Sequence, residues 1–541
     1  MKGTKKNNVV YLDNSGTTPM DDKVIEEMTY WCKNAQNPSS NSKLAKESKE
    51  ILEKAQNRML EYCYATKIYT VLFTSCATES NSFILLSTVD AYWREKRIIP
   101  TVIVSAIEHS SIIECTIALE RNGRANICYI MPNIDGVIPI TSVELAIKSH
   151  SHIALISIMF ANNELGAINN VKEIGALAHS FKIPLHVDAV QMFGKYRINL
   201  HASNIDALSA SFHKFNGPRG LGLLYIKNEL ITGYKLEAQI FGTQQFGLRA
   251  GTENIPAIAC SIVALDRASQ DRERKNEHLW KMRDELITGL KNLYPIGDYS
   301  SYVQSNRKNY IDGNIKEFDT SYEPGIHGDL NLNEDVVEVR EPIELVFLGP
   351  NNKSSILPHI LSVAVVKNIE DNIGNFCNVK LKEALDENNI IVSIGSACNT
   401  DKKEASHVMR AIRAPPIIKR GVIRISLGDH NTHADIKTFL NKFDECVKMQ
   451  IEDTKPIKKQ INNTKTKKLL AQDEISTTKK LNTIKNKQSM DNKPTGNLTI
   501  KQTKPNSKIH NKSINKVSNE NKEEHNSKLS KKQLPTVNKK R

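Results

Sequence analysis

Between residues 68 and 227 short apolar runs alternate with longer stretches of helical spacing. The runs are Thr70–Thr74, Thr101–Ala106, His152–Phe160, Ile183–Val187, Ala207–Ser211 and Leu221–Ile226. Among the intervening stretches, Val171, Ile174, Leu177, Ala178 and Phe181 fall on one face of a helix. Short apolar runs alternating with amphipathic helices predict an α/β fold with a mainly parallel sheet and helices on both faces. Ligands of such sheets sit outside the carboxyl ends of the strands. The polar residues that follow each run therefore decide what the fold can do.

Ser75-Cys-Ala-Thr-Glu-Ser-Asn81 follows the first run and Glu108-His109-Ser110 the second. The third ends in Asn162-Asn163-Glu164, the fourth in Asp188-Ala-Val-Gln191 and the fifth in Phe212-His213-Lys214. One rim thus collects an acid, an imidazole, amides, hydroxyls and a lysine. Pyridoxal-phosphate chemistry uses this inventory: an amine to form the Schiff base and an acid to keep the pyridine nitrogen protonated. Hydroxyls and the N–H groups of a helix N-terminus would hold the phosphate. Asp188 and Lys214 lie 26 residues apart on successive strand ends, so both can reach one ring. Taken singly, each residue also has a plainer reading. Lys214 and Arg424 could be surface charges, Asp188 and Thr78 helix caps, and His109 and His213 packed imidazoles. Asn163 and Gln191 could be core amides, and Cys398 a buried thiol.

Five segments, read together, resemble the cysteine desulfurase (NifS/IscS-type) branch of the class V aminotransferases. They are Tyr11-Leu-Asp-Asn-Ser-Gly-Thr-Thr-Pro19, Ala77-Thr-Glu-Ser-Asn81, Asn162-Asn-Glu-Leu-Gly166, His186-Val-Asp-Ala-Val-Gln191 and Gly247-Leu-Arg-Ala-Gly-Thr-Glu-Asn254. Ser393-Ile-Gly-Ser-Ala-Cys398 and Arg424-Ile-Ser-Leu-Gly428 extend the match, which covers about residues 9–295 and 345–445 in order. The resemblance implies a PLP-dependent transferase fold (fold type I): a large domain with a mainly parallel sheet and a smaller α+β C-terminal domain. It implies that Lys214 carries pyridoxal 5'-phosphate, that Asp188 pairs with the pyridine nitrogen and that His109 stacks on the ring and manages protons. Asn163 and Gln191 would reach the ring's phenolic oxygen, Asn163 also lying beside the substrate. Ala77, Thr78, Ser211 and His213 would bind phosphate, as would Thr252 from the partner subunit of a homodimer. Arg424 would grip the substrate carboxylate. Cys398 would take sulfur from L-cysteine as a persulfide, for iron–sulfur cluster assembly or thiolation. The implied partner is a sulfur acceptor such as an iron–sulfur scaffold or a sulfur carrier. No permanent metal site is expected, although Cys398 could serve as a transient iron–sulfur ligand.

The chain departs from the family pattern at Phe241-Gly-Thr-Gln-Gln-Phe-Gly247, at Lys43, at Cys76 and at Ile394. Two other functions stay open at this point: selenocysteine lyase or another enzyme of the same fold, and an inert scaffold with a nucleic-acid-binding tail. The net charge of +14 invites the second, but residues 451–541 hold 23 Lys+Arg against 8 Asp+Glu. The body is therefore close to neutral. The tail has no Phe, Trp, Tyr or Cys, too little apolar surface to offset its ordering entropy, and is expected to be disordered with at most weak polyanion contact. The expected division is 1–265 (arm and large domain), 266–450 (small domain, with a polar surface insertion at about 298–341) and 451–541 (tail). Nine cysteines without metal-ligand spacing, no long apolar stretch and an N-terminus that enters a strand at once predict a cytoplasmic protein outside the membrane.

Overall fold

The computed structural model describes residues 9–65, 68–307, 343–367, 376–395 and 406–453, all within one compact unit that runs to Pro456. After β1 (Val10–Tyr11), seven strands build the large sheet. They are β2 (Tyr69–Thr74), β3 (Thr101–Ser105), β4 (Asn126–Ile130), β5 (Ile153–Ser157), β6 (Leu185–Asp188), β7 (Ala207–Ser211) and β8 (Gly222–Lys227). Their order is β2-β8-β7-β6-β5-β3-β4. Strand β8 pairs antiparallel with both neighbours, and the remaining pairs are parallel. The α/β expectation holds, with one strand more than the apolar runs announced. Strand β4 lies at the sheet edge with Asn126 exposed and Ile127, Cys128 and Tyr129 only half-buried, so it carries no continuous apolar run.

Both faces of the sheet are apolar, as a strand's two-residue period requires when helices cover each side. Val71 and Phe73 of β2, with Leu223 and Tyr225 of β8, enter one core. Leu72, Leu224 and Ile226 point the other way, onto Phe83, Ile84 and Val89 of helix Ala77–Lys96.

A second sheet, antiparallel, has the order β12-β10-β9, from β9 (Glu344–Leu348), β10 (Ile360–Val366) and β12 (Val422–Ser426). The short β11 (Ile390–Ile391) pairs parallel with β1, so the N-terminal arm is stitched into the C-terminal part of the chain. Helices Arg272–Leu293 and His433–Asp453 supply Leu286, Leu290, Phe439 and Phe443 to this layer's core. Each such side chain, fully buried, stabilises by about 1.5–3 kcal/mol.

Two expected boundaries fall inside helices: residue 265 within Ile255–Ser269 and residue 451 within His433–Asp453. Helix Ile255–Ser269 ends at Gln270-Asp271, where Asp271 takes a left-handed conformation (φ 53). Ile451 still packs against the core. The insertion expected at 298–341 opens as a packed element rather than a surface one. Helix Tyr299–Arg307 buries Tyr299 and Val303, and the Tyr299 hydroxyl donates to the Ile412 carbonyl at 3.0 Å. Residues 308–342, the tail beyond 453 and the expected nucleophile Cys398 lie outside the described residues. Among those described, no helix is long and apolar enough to cross a membrane.

Candidate active site

A cavity of about 270 Å³ lies where β2, β3, β6 and β7 end, and the residues expected from sequence line it. Lys214 follows β7 in a single 3-10 turn, Phe212–Lys214. Its Nζ donates to the carbonyls of Ser15 at 2.8 Å and Gly16 at 2.6 Å. The arm is itself anchored to this turn, because the Thr18 hydroxyl and backbone N–H both donate to the His213 carbonyl at 2.9 Å. His213 Nδ1 lies 3.0 Å from the Thr17 hydroxyl. Burial, then the Lys214 charge, pushes the His213 pKa down to about 4; it is a neutral imidazole at neutral pH.

Asp188 ends β6 with 4% of its surface exposed. Asn81 Nδ2 donates to Asp188 Oδ2 at 2.9 Å, and the Val190 backbone N–H donates to Oδ1 at 3.0 Å. The same Asn81 amide donates to the Ser111 hydroxyl at 3.0 Å. That hydroxyl lies 2.9 Å from His109 Nδ1, which also accepts the Ser111 backbone N–H at 3.2 Å. A nitrogen accepting a backbone N–H carries no proton, so the proton of neutral His109 sits on Nε2. Burial lowers the His109 pKa, the Asp188 charge opposing it. One amide thus orients both the acid and the imidazole.

At the other end of the constellation, Ala77 and Thr78 begin helix Ala77–Lys96 with their backbone N–H groups at the cavity. Gly222 permits this turn: a side chain there would stand 2.3 Å from the Cys76 carbonyl carbon. Glu79, in the first turn, accepts the Ser75 N–H at 2.7 Å and pairs with Arg249 at 2.8 Å. Ser211 Oγ, Gln191 Oε1 and Asn81 Oδ1 are buried and find no partner among the described residues. Orphaned polar atoms are costly, and here they surround a lysine, an acid and a helix N-terminus. The donor set fits pyridoxal phosphate.

Arg424, on β12, is 2% exposed. Its Nη2 pairs with Asp13 at 2.9 Å and its Nη1 donates to the Asn163 carbonyl at 3.2 Å. Its Nε has no partner among the described residues. Asn163 lines the same cavity.

Ten of the expected positions therefore meet at one cavity: Ala77, Thr78, His109, Asn163, Asp188, Gln191, Ser211, His213, Lys214 and Arg424. Thr252 does not; it is exposed and absent from the lining. Sequence reasoning assigned no role to Asn81, Ser111, Asp13 or Ser15. Asn81 closes the Ala77-Thr-Glu-Ser-Asn81 segment, and Asp13 and Ser15 stand in the arm segment Tyr11–Pro19, so position in those motifs was the available signal.

The Aminotransferase class-V family model matches residues 10–325. Cysteine desulfurase IscS of Methanosarcina thermophila is 32% identical over 444 residues, covering 82% of this chain and 93% of its own. Cysteine desulfurase IscS of Clostridium botulinum (strain Hall) is 31% identical over 448 residues, covering 82% and 96%. Among solved structures, a NifS-like protein superposes with a TM-score of 0.64 at 28% identity, covering 82% of this chain and 100% of its own. SspA in complex with cysteine superposes at 0.56 and 25% identity, covering 78% and 99%. With more than half of its length matched and a cavity furnished for pyridoxal phosphate, the chain belongs to the class V aminotransferase family.

Proposed function

We propose that this chain is a cysteine desulfurase, taking sulfur from L-cysteine to give L-alanine and a persulfide on Cys398. The observation that carries the reading is the convergence of Lys214, Asp188, His109 and Arg424 on one cavity. The curated relatives named cysteine desulfurase and the relative solved with cysteine support it. Pyridoxal phosphate, when bound, supplies an electron sink for the carbanion formed at the substrate Cα.

The chain's own residues do the rest. Lys214 is the amine that would hold the cofactor, and its Nζ would accept the Cα proton. Asp188, kept in place by Asn81 and Val190, holds the proton on the ring nitrogen. His109, which lines the cavity, would face the cofactor and manage protons there from Nε2. Ala77, Thr78, Ser211 and His213 would hold the phosphate, and Gln191 and Asn163 the ring's phenolic oxygen. Arg424 has an unpartnered Nε for the substrate carboxylate, which a planar guanidinium can hold through two bonds. The thiolate of Cys398 attacks the substrate sulfur. As the S–S bond forms, the C–S bond breaks, its electron pair goes to Cβ and a proton completes alanine.

The same reading makes the protein a cytoplasmic homodimer, with Thr252 reaching the phosphate end of a second copy's site. It divides the chain into a large cofactor domain, a small domain and a Lys-rich tail with weak affinity for polyanions. The persulfide passes to an acceptor protein for iron–sulfur assembly or thiolation. Sulfide and alanine release from L-cysteine, with mass spectrometry of Cys398, tests the proposal. The wild type should yield both products and a persulfide. Cys398→Ala should form neither persulfide nor sulfide at a comparable rate. Wild-type turnover by Lys214→Ala would refute the lysine assignment.

A further inference from the structure

The turn Asn162–Leu165, after β5, is pinned from several sides. Asn162 Oδ1 accepts the backbone N–H groups of Glu164 at 2.9 Å and Leu165 at 2.8 Å, and its Nδ2 donates to the Ile107 carbonyl at 3.0 Å. The Ser362 hydroxyl donates to the Glu164 carbonyl at 2.6 Å. Two neighbours in this turn then make different contacts. The Asn163 carbonyl accepts from Arg424 Nη1. The Glu164 carboxylate, in a residue 1% exposed, accepts the Ser406 hydroxyl on Oε1 at 2.9 Å, while its Oε2 has no partner among the described residues.

Residues 396–405, with Cys398 among them, join Gly395 to Ser406. Both ends of that segment stand at Glu164. A Cβ added to Gly395, whose φ is 127, would lie 3.7 Å from Glu164 Oε2 and 3.8 Å from Ser406 Cβ. The entry is fixed by Ser393, which exchanges backbone hydrogen bonds with Arg424 at 3.1 and 2.6 Å and whose hydroxyl donates to the Gly395 carbonyl at 3.0 Å. The exit is fixed by His407, whose Nε2 donates to the Glu108 carbonyl at 2.8 Å, and by Ser406, which caps helix His407–Ala411.

We propose that Glu164 is a positioning residue for sulfur transfer. It joins the two ends of the segment that carries Cys398, beside the carbonyl that holds Arg424, and so sets where the thiolate meets the substrate sulfur. The proposal rests on the reading of Cys398 as the sulfur acceptor. Arg424 fixes the substrate by its carboxylate, so the remaining freedom is the place of the nucleophile, and attack needs the reacting atoms about 3–3.5 Å apart. Cys398 follows Gly395 by three residues, a reach of about 11 Å at most, so a displacement of Gly395 carries to the thiolate. A carboxylate kept for packing alone would place both oxygens on donors, because a buried oxygen left bare is costly. Glu164 commits one oxygen to the segment's exit and leaves the other bare at its entry.

The test separates two reactions of the full-length, cofactor-loaded enzyme. Sulfur transfer from L-cysteine needs Cys398, whereas exchange of the Cα hydrogen of L-alanine with deuterated water needs Lys214 and Arg424 but no thiol. Glu164→Ala should slow single-turnover persulfide formation, read by mass spectrometry of Cys398, about 10²-fold, the effect of roughly 1 Å of misplacement. Its alanine exchange should stay at the wild-type rate. Glu164→Gln, which keeps an oxygen for the Ser406 hydroxyl, should recover most of the loss. Unchanged persulfide formation in Glu164→Ala, an equal loss of alanine exchange, or no recovery in Glu164→Gln overturns the proposal. Should Glu164→Ala not fold, Ser406→Gly decides, since it removes the hydroxyl and glycine still caps a helix. It should slow persulfide formation about tenfold, the worth of one hydrogen bond to a carboxylate, and spare alanine exchange. Wild-type persulfide formation, or an equal loss of exchange, overturns the proposal. The reading of Cys398 fails separately, if the wild-type persulfide maps to another cysteine.

Discussion

Replacing Arg424 with Gln should lower kcat/KM for L-cysteine by about 10²–10³ while sparing cofactor binding. The guanidinium sits 2% exposed, with Nη2 on Asp13, Nη1 on the Asn163 carbonyl and Nε without a partner among the described residues. A carboxylate held through two charge-assisted bonds gains about 1.5–3 kcal/mol from each. Discounting for the Asp13 contact that must yield, the loss should be about 3–4 kcal/mol, at about 1.4 kcal/mol per decade. Arg424→Lys should recover only about tenfold of this, since an ammonium is a point charge without the fork. The Asp13 side chain is 20% exposed, so water reaches it when its partner goes, and the stability cost should stay at about 1–2 kcal/mol. The assay is steady-state alanine formation across L-cysteine concentrations, with cofactor occupancy from the visible band and a thermal melt as controls. If Arg424→Gln keeps kcat/KM within about threefold of wild type at full occupancy, the carboxylate is bound elsewhere and the reasoning is wrong.

Asp188→Asn should retain cofactor but lose at least about 10²-fold in kcat, because an amide cannot hold the ring nitrogen's proton; near-normal turnover would refute this. Asn81→Ala should cut kcat by about tenfold or more, since it releases both Asp188 and the Ser111 link to His109, and unchanged kinetics would remove it as the orienting group. Glu108 is buried, accepts from Ser105 and from the Met159 N–H at 2.7 Å, and has its pKa pushed up to about 8 by burial. The folded state therefore keeps a proton that the unfolded chain gives up from its ordinary value of 4.5 onward, so stability falls as pH rises from about 4.5 to 8. Glu108→Gln should remove that slope, and its Tm advantage should widen from pH 5 to pH 9; a gap that does not change with pH would contradict the sign. Truncation after Pro456, which spares helix His433–Asp453, should leave turnover and Tm unchanged. It should weaken salt-sensitive polyanion binding, and equal binding by both forms would dismiss a role for the tail.

Read without a structure, the chain yields its large sheet and most of its site because both are written locally. Each apolar run and the polar cluster after it are contiguous, so Asp188, His213 and Lys214 could be assigned to strand ends from period alone. Strand β4 escaped because an edge strand need not be apolar, and the ends of helices Ile255–Ser269 and His433–Asp453 because polar last turns read like linkers. What determines how the site works is spread across the fold. Asn81 meets Asp188 from 107 residues away and Arg424 meets Asp13 from 411. Such contacts require approach to about 3 Å, which depends on crossover connections and on an arm that threads from one sheet to the other. No periodicity encodes that approach. The sequence by itself determined which chemical groups stand at the strand ends; the tertiary packing decided which of them touch and which stay neutral.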